Sequence, residues 1–133
     1  MTEQHKVCVL LLEDSPQDVF LLRAALAKVA EGRFELLHAE RLAEALKLLE
    51  QHQVDLILTD LNLPDSEGLD TIRELVAHSA TIPIVVLAGC NNPDVRPQWL
   101  QAGASGHISK DRLNSAVLSE VLSQAQQRRQ ESL

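Results

Sequence analysis

The chain has 133 residues, 45% of them apolar and 23% charged, which fits one soluble domain with a sizeable core. The formal net charge of −7 comes from 12 Lys and Arg against 19 Asp and Glu, and it disfavours direct binding to nucleic acid. Two cysteines make no disulfide framework, no signal peptide is visible, and no apolar run reaches a membrane-spanning length. We therefore expect a cytoplasmic protein that contacts neither nucleic acid nor membranes.

Segments typical of strands and helices alternate along the first half of the chain. A continuous apolar run at 7–12 predicts a strand buried on both faces. Ser15 as the N-cap and Pro16 at the first helical position predict a helix start, and Asp18 completes a capping-box-like pair. A strand at 34–38, a helix around 42–49 and a strand at 54–59 that runs into Asp60 follow.

The second half continues the alternation. Turn residues predict a loop at 61–68, and a helix at about 69–78 and a strand at 83–88 follow. Pro93 and Pro97 predict a fourth helix that begins late, near Arg96, after a long mobile loop, and that ends at Gly103. A short strand at 106–109 and a last helix from Arg112 to about 127 complete the pattern.

Five strand–helix repeats with short links predict an α/β fold with a parallel sheet and helices on both faces. We expect residues 1–133 to form a single domain, with a core at about 6–124 and a polar helical extension at about 125–133.

Charged residues follow several of the predicted strands. Glu13 and Asp14 follow the first strand, Asp60 ends the third, and Lys110 follows the fifth. Each alone is ordinary for a loop, but the carboxyl ends of parallel strands share one edge of the sheet, where ligands bind. Clustered carboxylates favour a cation such as Mg²⁺, and a lysine beside them can pair with a phosphoryl group. One Asp could then attack a phosphoryl donor, with backbone N–H groups after Asp60 and Ala88 around its oxygens.

Four segments together resemble the receiver domains of bacterial response regulators. They are VLLLEDS at 9–15, DLILTDLNLPDSEG at 55–68, IPIVVL at 82–87 and LQAGASGHISK at 100–110. The resemblance runs from about residue 6 to 124. It implies a flavodoxin-like five-stranded parallel sheet, order 2-1-3-4-5, with five helices.

The resemblance also implies a role for each matching residue. Asp60 is the implied phosphoacceptor and a Mg²⁺ ligand, together with Asp14 directly, Glu13 through water and the backbone carbonyl of Asn62. Lys110 and the N–H of Gly89 are expected to contact the phosphoryl group. Pro64 and Gly68 match the loop that shapes the site.

Two positions depart from the family pattern. Ala88 stands where the family usually has Thr or Ser, and His107 stands where it usually has Tyr or Phe. The usual hydroxyl–aromatic switch therefore cannot operate in its standard form, although the acids and the lysine remain. His107 is either a pH-sensitive replacement or a tolerated polar ring. Trp99, the single tryptophan, is either a packed residue or a contact for a partner or a second subunit.

The leading hypothesis is a receiver that takes a phosphoryl group on Asp60 from a histidine kinase or a histidine phosphotransfer protein in two-component signalling. We expect no enzymatic activity beyond slow self-dephosphorylation. A stand-alone regulator and a piece of a longer chain both stay open, as does a homodimer formed on phosphorylation. An output domain or partner protein would use the face of helix 4, strand 5 and helix 5.

Other classes of function remain as alternatives. Ala88 and His107 favour an atypical receiver that acts as a phosphorylation-independent interaction module. A phosphatase of the haloacid dehalogenase kind is disfavoured, because it usually needs a second Asp where this chain has Asn62. A nucleotide- or flavin-binding protein is disfavoured, because no Gly-rich phosphate loop follows the first strand.

Overall fold

The computed structural model describes residues 7–30, 34–88 and 96–110, and further along the chain residues 116, 118–121 and 123–124. The side chains of residues 29, 30, 96 and 97 are not described. The predicted loop before the fourth helix and the predicted C-terminal extension at 125–133 lie outside these ranges.

Seven strands and four bounded helices make up the described fold. In chain order they are β1 (Val7–Leu12), α1 (Pro16–Ala30), β2 (Phe34–Ala39), α2 (Leu42–Gln51), β3 (Leu56–Asp60), β4 (Asn62–Leu63), β5 (Ser66–Glu67), α3 (Leu69–His78), β6 (Ile84–Ala88), α4 (Arg96–Ala102) and β7 (Gly106–Ser109). The described residues between 116 and 124 are helical and belong to a fifth helix, α5. Among the described helices, none has the length and apolarity needed to cross a bilayer.

Five of the strands form one parallel sheet in the order β2-β1-β3-β6-β7. Without the two-residue strands β4 and β5, this is the predicted order 2-1-3-4-5. Every residue of β1 is buried, as its continuous apolar sequence predicts for a strand covered on both faces. The predicted flavodoxin-like fold with five parallel strands is therefore confirmed.

The two faces of the sheet carry separate apolar layers. Alternate β1 residues point to opposite sides, because side chains alternate along a strand. Leu11 packs in a cluster with Leu22 and Leu26 of α1, whereas Leu10 packs in a cluster with Ala45 of α2 and Leu75 of α3. This two-sided core fixes the sheet and holds its carboxyl edge, where the charged residues lie.

The fourth helix begins and ends where the sequence predicts. It starts at Arg96, and its end is closed by hydrogen bonds from Gly103 N–H to Leu100 O (3.1 Å) and from Ala104 N–H to Trp99 O (3.0 Å). This is the Schellman arrangement, which needs a left-handed residue at its turn. Gly103 has φ 121°, and a Cβ there would lie 2.5 Å from Cγ2 of Val76. Only glycine lets α4 pack this closely on α3.

The segment 61–68 is not a plain loop, as the sequence suggested, but contains a small antiparallel hairpin of β4 and β5. Asp65, in the turn of this hairpin, accepts hydrogen bonds from the N–H groups of Leu42 (2.8 Å) and Ala43 (3.0 Å). These N–H groups open α2, whose own N-cap residue, Arg41, makes no side-chain cap. Asp65 therefore caps α2 from 22–23 residues away.

We expect Asp65→Ala to lower the free energy of unfolding by about 1 kcal/mol, as for loss of a helix cap. Although desolvation opposes the change, the N–H groups of Ala43 and Leu42 lower the pKa of Asp65 below 3.8. A lowered carboxyl pKa contributes stability above the unfolded value, and this stability is lost as pH falls through the folded value. Urea denaturation should therefore show a difference at neutral pH that shrinks below about pH 3.8. Glu67→Ala, exposed on the same hairpin, is the matched control.

Candidate functional site

Four chain segments meet at the carboxyl edge of the sheet. Glu13 follows β1, Asp60 is the last residue of β3, Ala88 is the last residue of β6, and Lys110 follows β7. The predicted convergence of acids and lysine is thus present in the fold.

Lys110 lies at the centre of the site. Its Nζ is 2.8 Å from Oε2 of Glu13, 2.9 Å from Oδ2 of Asp60 and 3.0 Å from Oδ2 of Asp18. The lysine side chain is 18% exposed, so water screens these contacts only in part. One ammonium therefore compensates three carboxylates that reach it from three different segments.

Asp18 is a member of this site that sequence reasoning missed. Its position in the first turn of α1 suggested a local capping role, and half of that prediction holds: the Asp18 N–H donates to Oγ of Ser15 at 3.4 Å. The second hydrogen bond of a capping box, from the Ser15 N–H to the Asp18 carboxylate, is not formed. The Ser15 N–H donates instead to Oε1 of Glu13 (3.2 Å), and the Asp18 carboxylate binds Lys110. The sequence signal for this role was that Asp18 is an acidic residue about one helical turn after Glu13 and Asp14, which follow β1.

Glu13 is fixed by several neighbours and is fully buried. Its N–H donates to Ala39 O (3.1 Å), and its carbonyl accepts from Nε2 of His38 at 2.8 Å. Burial raises the pKa of Glu13, and the Lys110 ammonium and the Ser15 N–H only partly offset that effect. Desolvation alone would lower the pKa of Lys110, but its bonds to Glu13, Asp60 and Asp18 raise it. The two groups of this ion pair therefore differ in what controls their pKa. Burial has the larger effect on the pKa of Glu13, whereas the three carboxylates have the larger effect on the pKa of Lys110.

Glu13, Asp14 and Asp60 each place one carboxylate oxygen within 4.8 Å of the others. Apart from its ion pair with Lys110, the buried Oε2 of Glu13 has no hydrogen-bond partner among the described residues. A donor set made only of oxygens, with an incompletely partnered buried anion, suits a hard divalent cation. The residues present therefore fit Mg²⁺.

The Asp60 carboxylate is held from two sides. Oδ1 of Asp60 accepts the N–H of Asn62 at 3.0 Å, and Oδ2 faces Lys110. Pro64 lies in the turn of the hairpin beyond, and Gly68 closes the loop with its N–H on Leu61 O (2.8 Å). Gly68 has φ 61° and ψ −136°, a conformation essentially confined to glycine. The carbonyl of Asn62 as a metal ligand stays a prediction.

The two atypical positions lie on neighbouring strands. Ala88 is half-buried at the end of β6 and is paired with Ser109, while His107 is paired with Val86. The His107 ring lies 6.1 Å from that of Trp99, tilted by 59°. Trp99 is half-buried against a cluster that includes Ile72, so the structure favours the packed interpretation of this residue. Gly89 lies outside the described residues.

The model of the response regulator receiver domain family matches residues 9–122. The transcriptional regulatory protein KdpE of Mycobacterium tuberculosis is 31% identical over 77% of this chain and 43% of its own length. The cell cycle transcriptional regulator CtrA of Caulobacter vibrioides is 32% identical over the same shares. The chain thus spans less than half the length of these curated relatives.

Solved structures show the same fold. The signal receiver domain of an HD domain-containing protein from Pseudomonas fluorescens matches with a TM-score of 0.83 at 20% identity, covering 99% of this chain and 96% of its own. A CheY-like receiver domain protein from Methanospirillum hungatei matches with a TM-score of 0.79 at 22% identity, covering 95% and 98%. Fold, family match and the relatives agree: the chain belongs to the receiver domain family of two-component response regulators.

Proposed function

We propose that this receiver domain accepts a phosphoryl group on Asp60 and that the donor is a phosphohistidine of a histidine kinase or a histidine phosphotransfer protein. The observation that carries the proposal is the position of Asp60. Its carboxylate contacts the Lys110 ammonium at 2.9 Å and places one oxygen within 4.8 Å of carboxylate oxygens of Glu13 and Asp14.

The chemistry follows from these contacts. A carboxylate oxygen of Asp60 attacks phosphorus, the P–N bond to the donor imidazole breaks with its electron pair, and the imidazole takes up a proton. The product is an acyl phosphate, whose added negative charge Lys110 compensates. Mg²⁺ held by Glu13, Asp14, Asp60 and the Asn62 carbonyl would neutralise charge on the phosphoryl oxygens. The N–H of Gly89 is proposed as a further donor to the phosphoryl group.

The wider setting is proposed from the family. Residues 1–133 act as one receiver domain in the cytoplasm. Hydrolysis of the acyl phosphate is slow and serves only to return the domain to its unphosphorylated state. Because the curated relatives are more than twice as long as the matched segment, we expect an output domain or a partner protein to bind the domain according to its phosphorylation state. The proposed interaction surface is the face of α4, β7 and α5, where Trp99 lies. A homodimer formed on phosphorylation would use this same face.

We expect the intact protein to gain the mass of one phosphoryl group when it is incubated with acetyl phosphate and Mg²⁺. Removal of the cation with EDTA should prevent the gain, because the site then lacks the cation that would neutralise charge on the phosphoryl oxygens. Intact-mass spectrometry measures both conditions. Absence of any gain in Mg²⁺, in a protein shown to be folded by circular dichroism, would contradict the proposal.

A second candidate is an interaction module that works without phosphorylation. It is favoured by Ala88, which has no hydroxyl to bond a phosphoryl oxygen, and by the packing of His107 on Trp99. The two candidates differ in their response to a phosphoryl mimic. If signalling depends on phosphorylation, beryllium fluoride with Mg²⁺ should change the chemical environment of Trp99; if it does not, no change is expected. The side-chain NMR signal of Trp99 measures this difference.

A further inference from the structure

A lysine ammonium has three N–H bonds, and Lys110 faces three carboxylates with them. The described contacts leave it no N–H for a fourth anion. An incoming phosphoryl group is such an anion, because the Asp60 carboxylate keeps its own charge until the P–O bond forms, and it must displace one of the present partners before Lys110 can bind it.

The three partners differ in how easily they can leave. The side chain of Glu13 is 1% exposed, so separating it from the ammonium would leave a buried charge uncompensated. Asp60 is 14% exposed and carries the phosphoryl group itself, so it remains beside Lys110. Asp18 is 32% exposed, and water can solvate its carboxylate once the contact breaks. We therefore expect the Lys110–Asp18 contact to be the one that breaks.

We propose that the Asp18 carboxylate competes with the phosphoryl group for Lys110. Before the reaction Asp18 accepts one N–H of the ammonium. When the phosphoryl group arrives, the Lys110–Asp18 contact is exchanged for a Lys110–phosphoryl contact. This inference rests on the proposed function and adds a second effect of Asp18: its negative charge, at the same site, repels the incoming phosphoryl donor.

The direction of the Asp18 effect is opposite to that of the other site acids. Loss of Glu13, Asp14 or Asp60 removes a residue on which the reaction depends, so phosphorylation should fall. Loss of the Asp18 charge weakens the contact with one N–H of Lys110, because an amide oxygen is a weaker acceptor than a carboxylate, and it lowers the repulsion, so phosphorylation should rise. A merely structural role for Asp18 would not predict a gain.

The test uses the full chain and three variants. Asp18→Asn removes the charge, Asp18→Glu restores it, and Asp70→Asn is the matched control. Asp70 lies in the first turn of α3 as Asp18 lies in the first turn of α1, but its side chain is 82% exposed and pairs with Arg73. Two quantities are measured: the rate of phosphorylation by acetyl phosphate with Mg²⁺, and the Kd of beryllium fluoride with Mg²⁺ by calorimetry.

We expect Asp18→Asn to raise the phosphorylation rate and tighten beryllium fluoride binding, each about 2- to 5-fold, which is the effect that a partly exposed ion pair supports. Asp18→Glu should return both values toward wild type, and Asp70→Asn should change neither. If the wild type reacts and Asp18→Asn leaves both values unchanged or lowers them, the inference on Asp18 is wrong and the proposed function stands. If the wild type neither reacts nor binds beryllium fluoride, both are wrong.

Discussion

Lys110→Met should lower the free energy of unfolding by about 3 kcal/mol at neutral pH, the cost of breaking a buried ion pair by removing one partner. The variant keeps the aliphatic stem but leaves the carboxylates of Glu13, Asp18 and Asp60 facing each other without the ammonium. Urea denaturation measures the loss. Lys47→Met, on the exposed surface of α2, is the control and should change stability by less than about 0.5 kcal/mol.

The pH dependence of this loss identifies its cause. Burial already raises the pKa of Glu13 above 4.5 in the wild type, and loss of the ammonium raises it further. A carboxyl group with a raised folded pKa contributes most stability below its unfolded value and loses that contribution as pH rises through the folded value. The deficit of Lys110→Met should therefore shrink as pH falls toward about 4.5. A deficit that is constant with pH would mean that Lys110 acts by packing and not by charge.

Asp60→Asn should abolish phosphoryl uptake from acetyl phosphate, because an amide oxygen cannot form the acyl phosphate. The fold should survive, since the substitution keeps the shape of the side chain and removes the charge that repels Glu13. Intact-mass spectrometry and thermal denaturation measure the two effects, with Asp70→Asn as the control for charge. Uptake by Asp60→Asn at the wild-type rate would place the acceptor elsewhere.

Most of the fold follows from the sequence because β1, β3 and β6 are largely apolar runs and α1 and α4 carry proline at or near their first position. Gly103 predicts the end of α4, and the structure explains why: the turn is left-handed and Val76 leaves no room for a Cβ. The β4–β5 hairpin was not predicted, since two-residue strands carry no periodicity. The Asp65 cap on α2 was not predicted either, because its partners are distant in sequence and only the tertiary fold brings them together.

The site, too, contains residues that the sequence predicts and one that it does not. Glu13, Asp60 and Lys110 were predictable because each lies at or directly after the end of a strand, and parallel strands end at one edge. Asp18 was not, since a first-turn acid has a local capping role that accounts for it equally well. Which way its carboxylate points is decided by the lysine 92 residues away. A long-range ion pair of this kind is marked in the sequence only by the presence of an acidic residue, and this residue type does not indicate the partner.

The most direct test of the account is to locate the phosphoryl group. After reaction with acetyl phosphate and Mg²⁺, borohydride reduction converts an aspartyl phosphate to homoserine, and peptide mass spectrometry identifies the modified position. We expect modification at Asp60, with none at Asp14 or Asp18. Modification at another residue, or an unmodified Asp60 in protein that binds beryllium fluoride and Mg²⁺, would contradict the claim that Asp60 is the phosphoacceptor.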